Sequence, residues 1–142
     1  MYQPKHFKVQ ELVPPSIYEK RKEKAIELID ERVLITLDQL REIFGPCTVN
    51  DWSFGGSFSQ SGLRTPEAKE YSPTSQHSFG RAMDCKFSEY EAEEVRAEIL
   101  DNRILFPYIT FIENEVSWLH FDERNCERIT LWSPNINKAI LV

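Results

Sequence analysis

Ser75-Gln76-His77-Ser78-Phe79-Gly80-Arg81-Ala82-Met83-Asp84 is the stretch that decides how this chain is organised, and Trp118-Leu119-His120-Phe121-Asp122 is its counterpart. Two of the three histidines fall in these segments. Alternate residues of a strand share a face. In a strand predicted over 82–87, Ala82, Asp84 and Lys86 therefore share one side, and Met83, Cys85 and Phe87 the other. In the second segment Trp118, His120 and Asp122 face one way, Leu119 and Phe121 the opposite way. An aspartate on a core strand is costly to bury unless it is paired or bound to a metal. His77, Asp84 and His120 are a donor set suited to a zinc ion that keeps its fourth position open. The alternative on the same residues is two structural histidines and a capped aspartate.

Around this pair of segments the spacing predicts an α+β domain with a small, mainly antiparallel sheet and helices packed on one face. The 142 residues fit a single domain, 1–142. Residues 1–15 read as a lead-in arm, where Phe7, Val9 and Leu12 suggest a short strand before Pro14-Pro15. His6, on that arm, reads as a partly exposed residue with no metal role. Ser16 is a candidate N-cap with Glu19 completing a capping box. From Ile17 to Phe44 the apolar residues recur at threes and fours, which predicts one amphipathic helix or two broken near Ile35-Thr36. Gly45-Pro46 ends it. Strands are predicted over 47–54 and 58–64, and a polar loop over 65–75 leads into the histidine stretch.

Ser88 would cap a second helix, with Val95, Ile99 and Leu100 on its inner face. Residues 108–113 and 118–122 form the two arms of a predicted hairpin. The tail, 123–142, is expected to wrap the sheet and end in a short apolar strand or helix.

The run Ser75-x-His77-x-x-Gly80-x-Ala82-x-Asp84, followed by Trp118-x-His120, resembles the zinc site of the D-alanyl-D-alanine carboxypeptidase family. That family includes the phage L-alanyl-D-glutamate endopeptidases and the D,D-dipeptidases, and shares its fold with the amino-terminal domain of hedgehog signalling proteins. The similarity spans Val49 to Arg124. It implies the hedgehog/D,D-peptidase fold, a Zn2+ cofactor held by His77, Asp84 and His120, and hydrolysis of peptidoglycan stem peptides. It also implies that Arg64, just upstream of the histidine motif, contacts substrate and polarises the scissile carbonyl. Many members place the catalytic base three residues before the last histidine. Ser117 stands there and cannot serve. Glu113, ending a strand that the hairpin folds back beside the metal strand, is preferred as base over Glu115 in the turn. Asp122 is the expected carboxylate partner of a zinc-bound imidazole, with a surface charge as the alternative. Ser75 and Gln76 are candidates to hold the loop or to line the substrate cleft, and Trp118 to form a cleft wall, with filling the sheet face as its alternative.

Composition narrows the function classes. A formal net charge of −6 argues against a nucleic-acid binder. The apolar runs are too short to span a membrane. Three dispersed cysteines, Cys47, Cys85 and Cys126, suggest reduced thiols rather than a disulfide framework. Met1-Tyr2-Gln3-Pro4 opens no apolar signal region. The expectation is a monomer, cytoplasmic as synthesised, that reaches the cell wall after release or is carried on a virion, as phage lysis enzymes are. Two other readings stand beside the peptidase: a zinc-stabilised binding or virion structural module without catalysis, and a zinc amidase of another fold.

Overall fold

Three short strands carry the architecture, because each alternates one apolar face with one functional face. They are β2 (Ala82–Phe87), β3 (Phe111–Glu113) and β4 (Leu119–Asp122), preceded by the two-residue β1 (Cys47–Thr48). With β5 (Thr130–Ser133) and β6 (Lys138–Leu141) they form a six-stranded sheet in the order β1-β2-β4-β3-β5-β6. Every neighbouring pair is antiparallel except β3 and β5. The computed structural model describes all residues, 1–142.

Register sets the two faces. Met83 pairs with Phe121, Cys85 with Leu119, and Ile112 with Phe121. All five are fully buried, and each such side chain removed from water contributes roughly 1.5–3 kcal/mol before entropy is charged against it. The helices α2 (Glu31–Phe44) and α3 (Ala92–Asp101) supply the opposing layer. Val33, Leu34, Leu37 and Leu40 of α2, and Val95 and Ile99 of α3, join the same core cluster. The α+β reading with a mostly antiparallel sheet is what the chain adopts.

Several local expectations are corrected. The helical segment breaks earlier than Ile35-Thr36. A first helix α1 (Pro15–Arg21) runs into a 3-10 turn over Lys22–Leu28, and α2 starts afresh after Asp30. Asp30 accepts from the backbone N–H of Arg32, a side-chain N-cap strong enough to restart the helix there. Ser16 is not a cap: Pro14 holds that position, and the Ser16 hydroxyl donates to Glu67. At α3, too, the N-cap is Glu91 paired with Glu94 rather than Ser88.

The segment 58–64 contains no strand. Its backbone instead bonds outward, Leu63 N–H to Leu12 carbonyl and Ser61 carbonyl to Asp84 N–H. The strand predicted over 47–54 is cut to β1 by a 3-10 turn at Trp52–Phe54.

The lead-in arm is docked rather than loose. Buried Asp38 accepts from the Tyr2 hydroxyl at 2.6 Å and from the Lys5 and His6 N–H groups at 2.7 and 3.1 Å. Phe7, Val9 and Leu12 enter the core around a 3-10 turn at Val9–Glu11, not a strand. His6 stays on the surface against Glu42. The tail returns as β5 and β6, and β6 is exposed along its length. No helix is long and apolar enough to cross a membrane.

Candidate metal centre

The face opposite the core carries one continuous row. Asp84 pairs with His120 across β2 and β4, and His120 pairs with Glu113 across β4 and β3. Side chains in such register stand about 4.5–5.5 Å apart at Cβ, so alternation alone brings both carboxylates beside the imidazole. All three line a cleft of about 740 Å³.

His77 reaches the row from a different kind of element. It lies on a 3-10 turn, Gln76–Phe79, whose N-cap Ser75 accepts from the His77 N–H. Gly80 closes that turn with a φ of 68°. A Cβ there would come within 1.9 Å of the Leu28 carbonyl oxygen, so only glycine lets the turn pack onto the 3-10 segment before α2.

The donor atoms converge. His77 Nε2 lies 3.3 Å from His120 Nδ1 and 3.3 Å from Asp84 Oδ1, and His120 Nδ1 lies 2.9 Å from Asp84 Oδ1. Tetrahedral zinc with bonds of about 2.0–2.1 Å would hold its ligand atoms roughly 3.3 Å apart. The outer nitrogens settle the tautomers. His77 Nδ1 lies 2.9 Å from the Gly62 carbonyl, which can only accept, so that nitrogen carries the proton. His120 Nε2 lies 3.2 Å from Asp122 Oδ2, a carboxylate that accepts in the same way. With both rings neutral the inner nitrogens are lone pairs aimed at each other and at a carboxylate oxygen, and without a metal a proton on His120 Nδ1 takes the cation's place, donated to Asp84 Oδ1 at 2.9 Å. Three converging acceptors call for a cation between them, and this donor chemistry fits a metal ion.

The electrostatics agree. Burial opposes charge on His120, yet hydrogen bonds and charge from Asp122 and Asp84 outweigh it and raise its pKa to about 9. Burial also works against ionised Asp84, and His120 and His77 hold its carboxyl far below the usual carboxylate range. The same balance lowers Asp122, where Arg124 and His120 overcome burial. Asp122 is fully buried, and Arg124 grips both its oxygens at 2.8 and 2.6 Å. It is therefore the carboxylate behind His120, not a surface charge.

Arg64 lines the cleft, and its guanidinium bonds Asp84 Oδ2 at 3.2 Å and the Gln60 carbonyl at 3.1 Å. Ser75 and Trp118 are cleft-lining as expected. Gln76 is not: it lies outside the cleft wall, with its side-chain oxygen buried and unpartnered. The sequence treated Gln76 as equivalent to Ser75, but the 3-10 turn rotates neighbouring side chains to different sides. Glu113 faces the cleft, while Glu115 is exposed in the turn at a φ of 62°. Ser117 lies outside the cleft.

All three cysteines are free, and buried Cys85 lies on the core face away from the histidines. Residues unassigned from sequence also form the cleft, among them Phe58, Ser59 and Lys86. Of these only Lys86 carried a signal, its place two residues after Asp84. Comparison with protein-family models, curated proteins and solved structures found no match to this chain.

Proposed function

We propose that the chain is a zinc-dependent peptidase of the D-alanyl-D-alanine carboxypeptidase kind, built on the hedgehog/D,D-peptidase fold and acting on peptidoglycan stem peptides. The observation that carries this reading is the row Asp84–His120–Glu113 with His77 above it. Three inward lone pairs stand in a cleft beside a carboxylate that ligates nothing. His77 Nε2, Asp84 Oδ1 and His120 Nδ1 would hold the zinc, which when bound would supply a Lewis acid and an activated water.

The chain's own residues supply the rest. Glu113 takes a proton from the water that attacks the scissile carbonyl, and returns it to the departing amine as the C–N bond breaks. Arg64 stands over the far oxygen of Asp84, where it can polarise the carbonyl as charge develops on its oxygen. Gly62 and Asp122 fix the two imidazole tautomers. Ser75 holds the turn that carries His77, and Trp118 forms part of the wall.

Ser117 at the position where many relatives keep their base favours a second reading, a zinc-stabilised module without turnover. Mass spectrometry of purified peptidoglycan digested with zinc-loaded protein separates the two. New amine and carboxyl ends in the stem peptide support the peptidase, and their position identifies endo- or carboxypeptidase action. Cleavage between sugar and peptide would point to an amidase, and an intact wall with zinc bound to the inactive module. A peptidase of this kind fits phage lysis, released late or carried on the virion.

A further inference from the structure

Lys86 is the cleft residue that the proposed chemistry leaves unused. It follows Asp84 by two positions on β2, so it shares the functional face and stands about 6.6–6.8 Å farther along the strand. Its ammonium is fixed. Nζ donates to the Val49 carbonyl at 2.7 Å and to Ser61 Oγ at 3.1 Å, and lies 4.0 Å from the Phe58 ring centre. No ion pair joins it to a carboxylate. The nearest acid on the strand, Asp84, is already engaged by Arg64 and both histidines. A half-buried cation with two neutral acceptors, an aromatic face and no carboxylate at ion-pair distance, Asp84 and Asp51 acting on it only from farther off, is a site that can take an anion. Ser61 adds a second donor: its oxygen accepts from Lys86, which leaves its hydroxyl proton free.

We infer that Lys86 and Ser61 form a carboxylate-binding station, which selects peptides bearing a carboxylate one to two residues from the scissile bond. The distance follows from the strand, since an extended peptide advances about 3.3 Å per residue. A compact ammonium suits a carboxylate approached from one side, whereas Arg64, held by Asp84 and Gln60, is committed nearer the metal donors. The inference rests on the peptidase reading for its substrate class. The carboxylate can be the peptide's own C-terminus or an acidic side chain.

The test uses a soluble stem pentapeptide in three forms: free acid, amidated at the C-terminus, and amidated on its acidic side chain. Calorimetry measures binding of each to zinc-loaded Glu113→Gln protein, in which bound peptide is not consumed. One amidation should weaken binding by about 10–100-fold, and which one does so identifies the source of the carboxylate. Lys86→Met in that background should bind the free acid and the discriminated amide alike, with zinc content unchanged. If Lys86→Met fails to fold, Ser61→Ala should shrink the discrimination several-fold. Equal binding of all three forms, no binding of any, or discrimination that survives both substitutions overturns the station. Wild-type turnover of the same peptides is scored separately. Discrimination without hydrolysis overturns only the peptidase reading, and hydrolysis of all three forms at equal rates overturns only the station.

Discussion

One wall of the cleft is sheet, and the other is loop. On the sheet wall, Asp84, His120 and Glu113 are neighbours because β2, β4 and β3 pair in register, and the same pairing buries Met83, Leu119, Phe121 and Ile112 behind them. On the loop wall, Arg64, Ser61 and His77 are placed by individual hydrogen bonds rather than a ladder: Arg64 N–H to the His77 carbonyl, the Ser61 carbonyl from Asp84 N–H on β2 and the Ser61 N–H to Asn50, His77 Nδ1 to the Gly62 carbonyl. The sheet wall cannot shift one donor without moving a core strand, whereas the loop wall depends on separate contacts, each open to a single substitution. Two of the three candidate metal donors, Asp84 and His120, thus stand on the sheet, and the loop delivers only His77.

The largest effect falls where the walls meet. His77→Ala and His120→Ala each remove one of three donors, and bound zinc should drop from about one equivalent to a small fraction, with activity lost. Metal analysis after exhaustive dialysis checks this. Retention of full zinc by His77→Ala would mean that the loop wall contributes no ligand.

Glu113→Gln comes next. It keeps size and hydrogen bonding but removes proton acceptance, so turnover of wall fragments should fall by on the order of 10²–10⁴ while zinc stays bound. Glu115→Gln, in the exposed turn, should change little. The reverse pattern would move the base off the sheet wall.

Asp122→Asn loosens the support behind His120. Zinc affinity should weaken about 10–100-fold, measured by competition with a chromophoric chelator. An unchanged affinity would show that Asp122 gives the imidazole no support that the metal needs.

The smallest effect is on stability. Glu123 is buried just past β4, and burial, reinforced by the Asp30 charge against the opposing Arg32, pushes its pKa up to about 8. An unfolded glutamate ionises near 4.5. Between those values the unfolded chain has lost a proton that the folded chain keeps, so stability falls as pH rises through that window. Glu123→Gln should remove this slope, leaving the variant more stable than wild type above pH 8 by roughly 1–3 kcal/mol and closer to it near pH 4. Thermal melts of both proteins across that range test it.

The contrast between the walls also explains what the sequence disclosed. Period-two alternation marked β2 and β4 with their faces correctly divided, and the hairpin returned Glu113 beside His120, because pairing in a sheet translates spacing directly into proximity. Nothing comparable governs 51–64. A strand was expected over 58–64, yet Phe58 lies under Lys86, the Gln60 side chain bonds Thr65, and the Gln60 carbonyl accepts from Arg64. Tertiary hydrogen bonds overrode local pattern there. Gln76 was misplaced for a related reason, since a 3-10 turn has neither the two-fold nor the 3.6-fold period on which facing is read. The break in the first helix followed Asp30, whose capping bond outweighed a continuous apolar stripe.

X-ray absorption at the zinc edge, on protein loaded with one equivalent of metal, examines the meeting of the two walls at atomic distance. Two imidazole nitrogens and one or two oxygens at roughly 2.0–2.2 Å, with no sulfur, is the predicted first shell, and His77→Ala under the same conditions should give only the spectrum of zinc in buffer. A sulfur shell near 2.3 Å, which only a cysteine from elsewhere in the fold could supply, or a spectrum indistinguishable from zinc in buffer, would contradict a centre built from His77, Asp84 and His120.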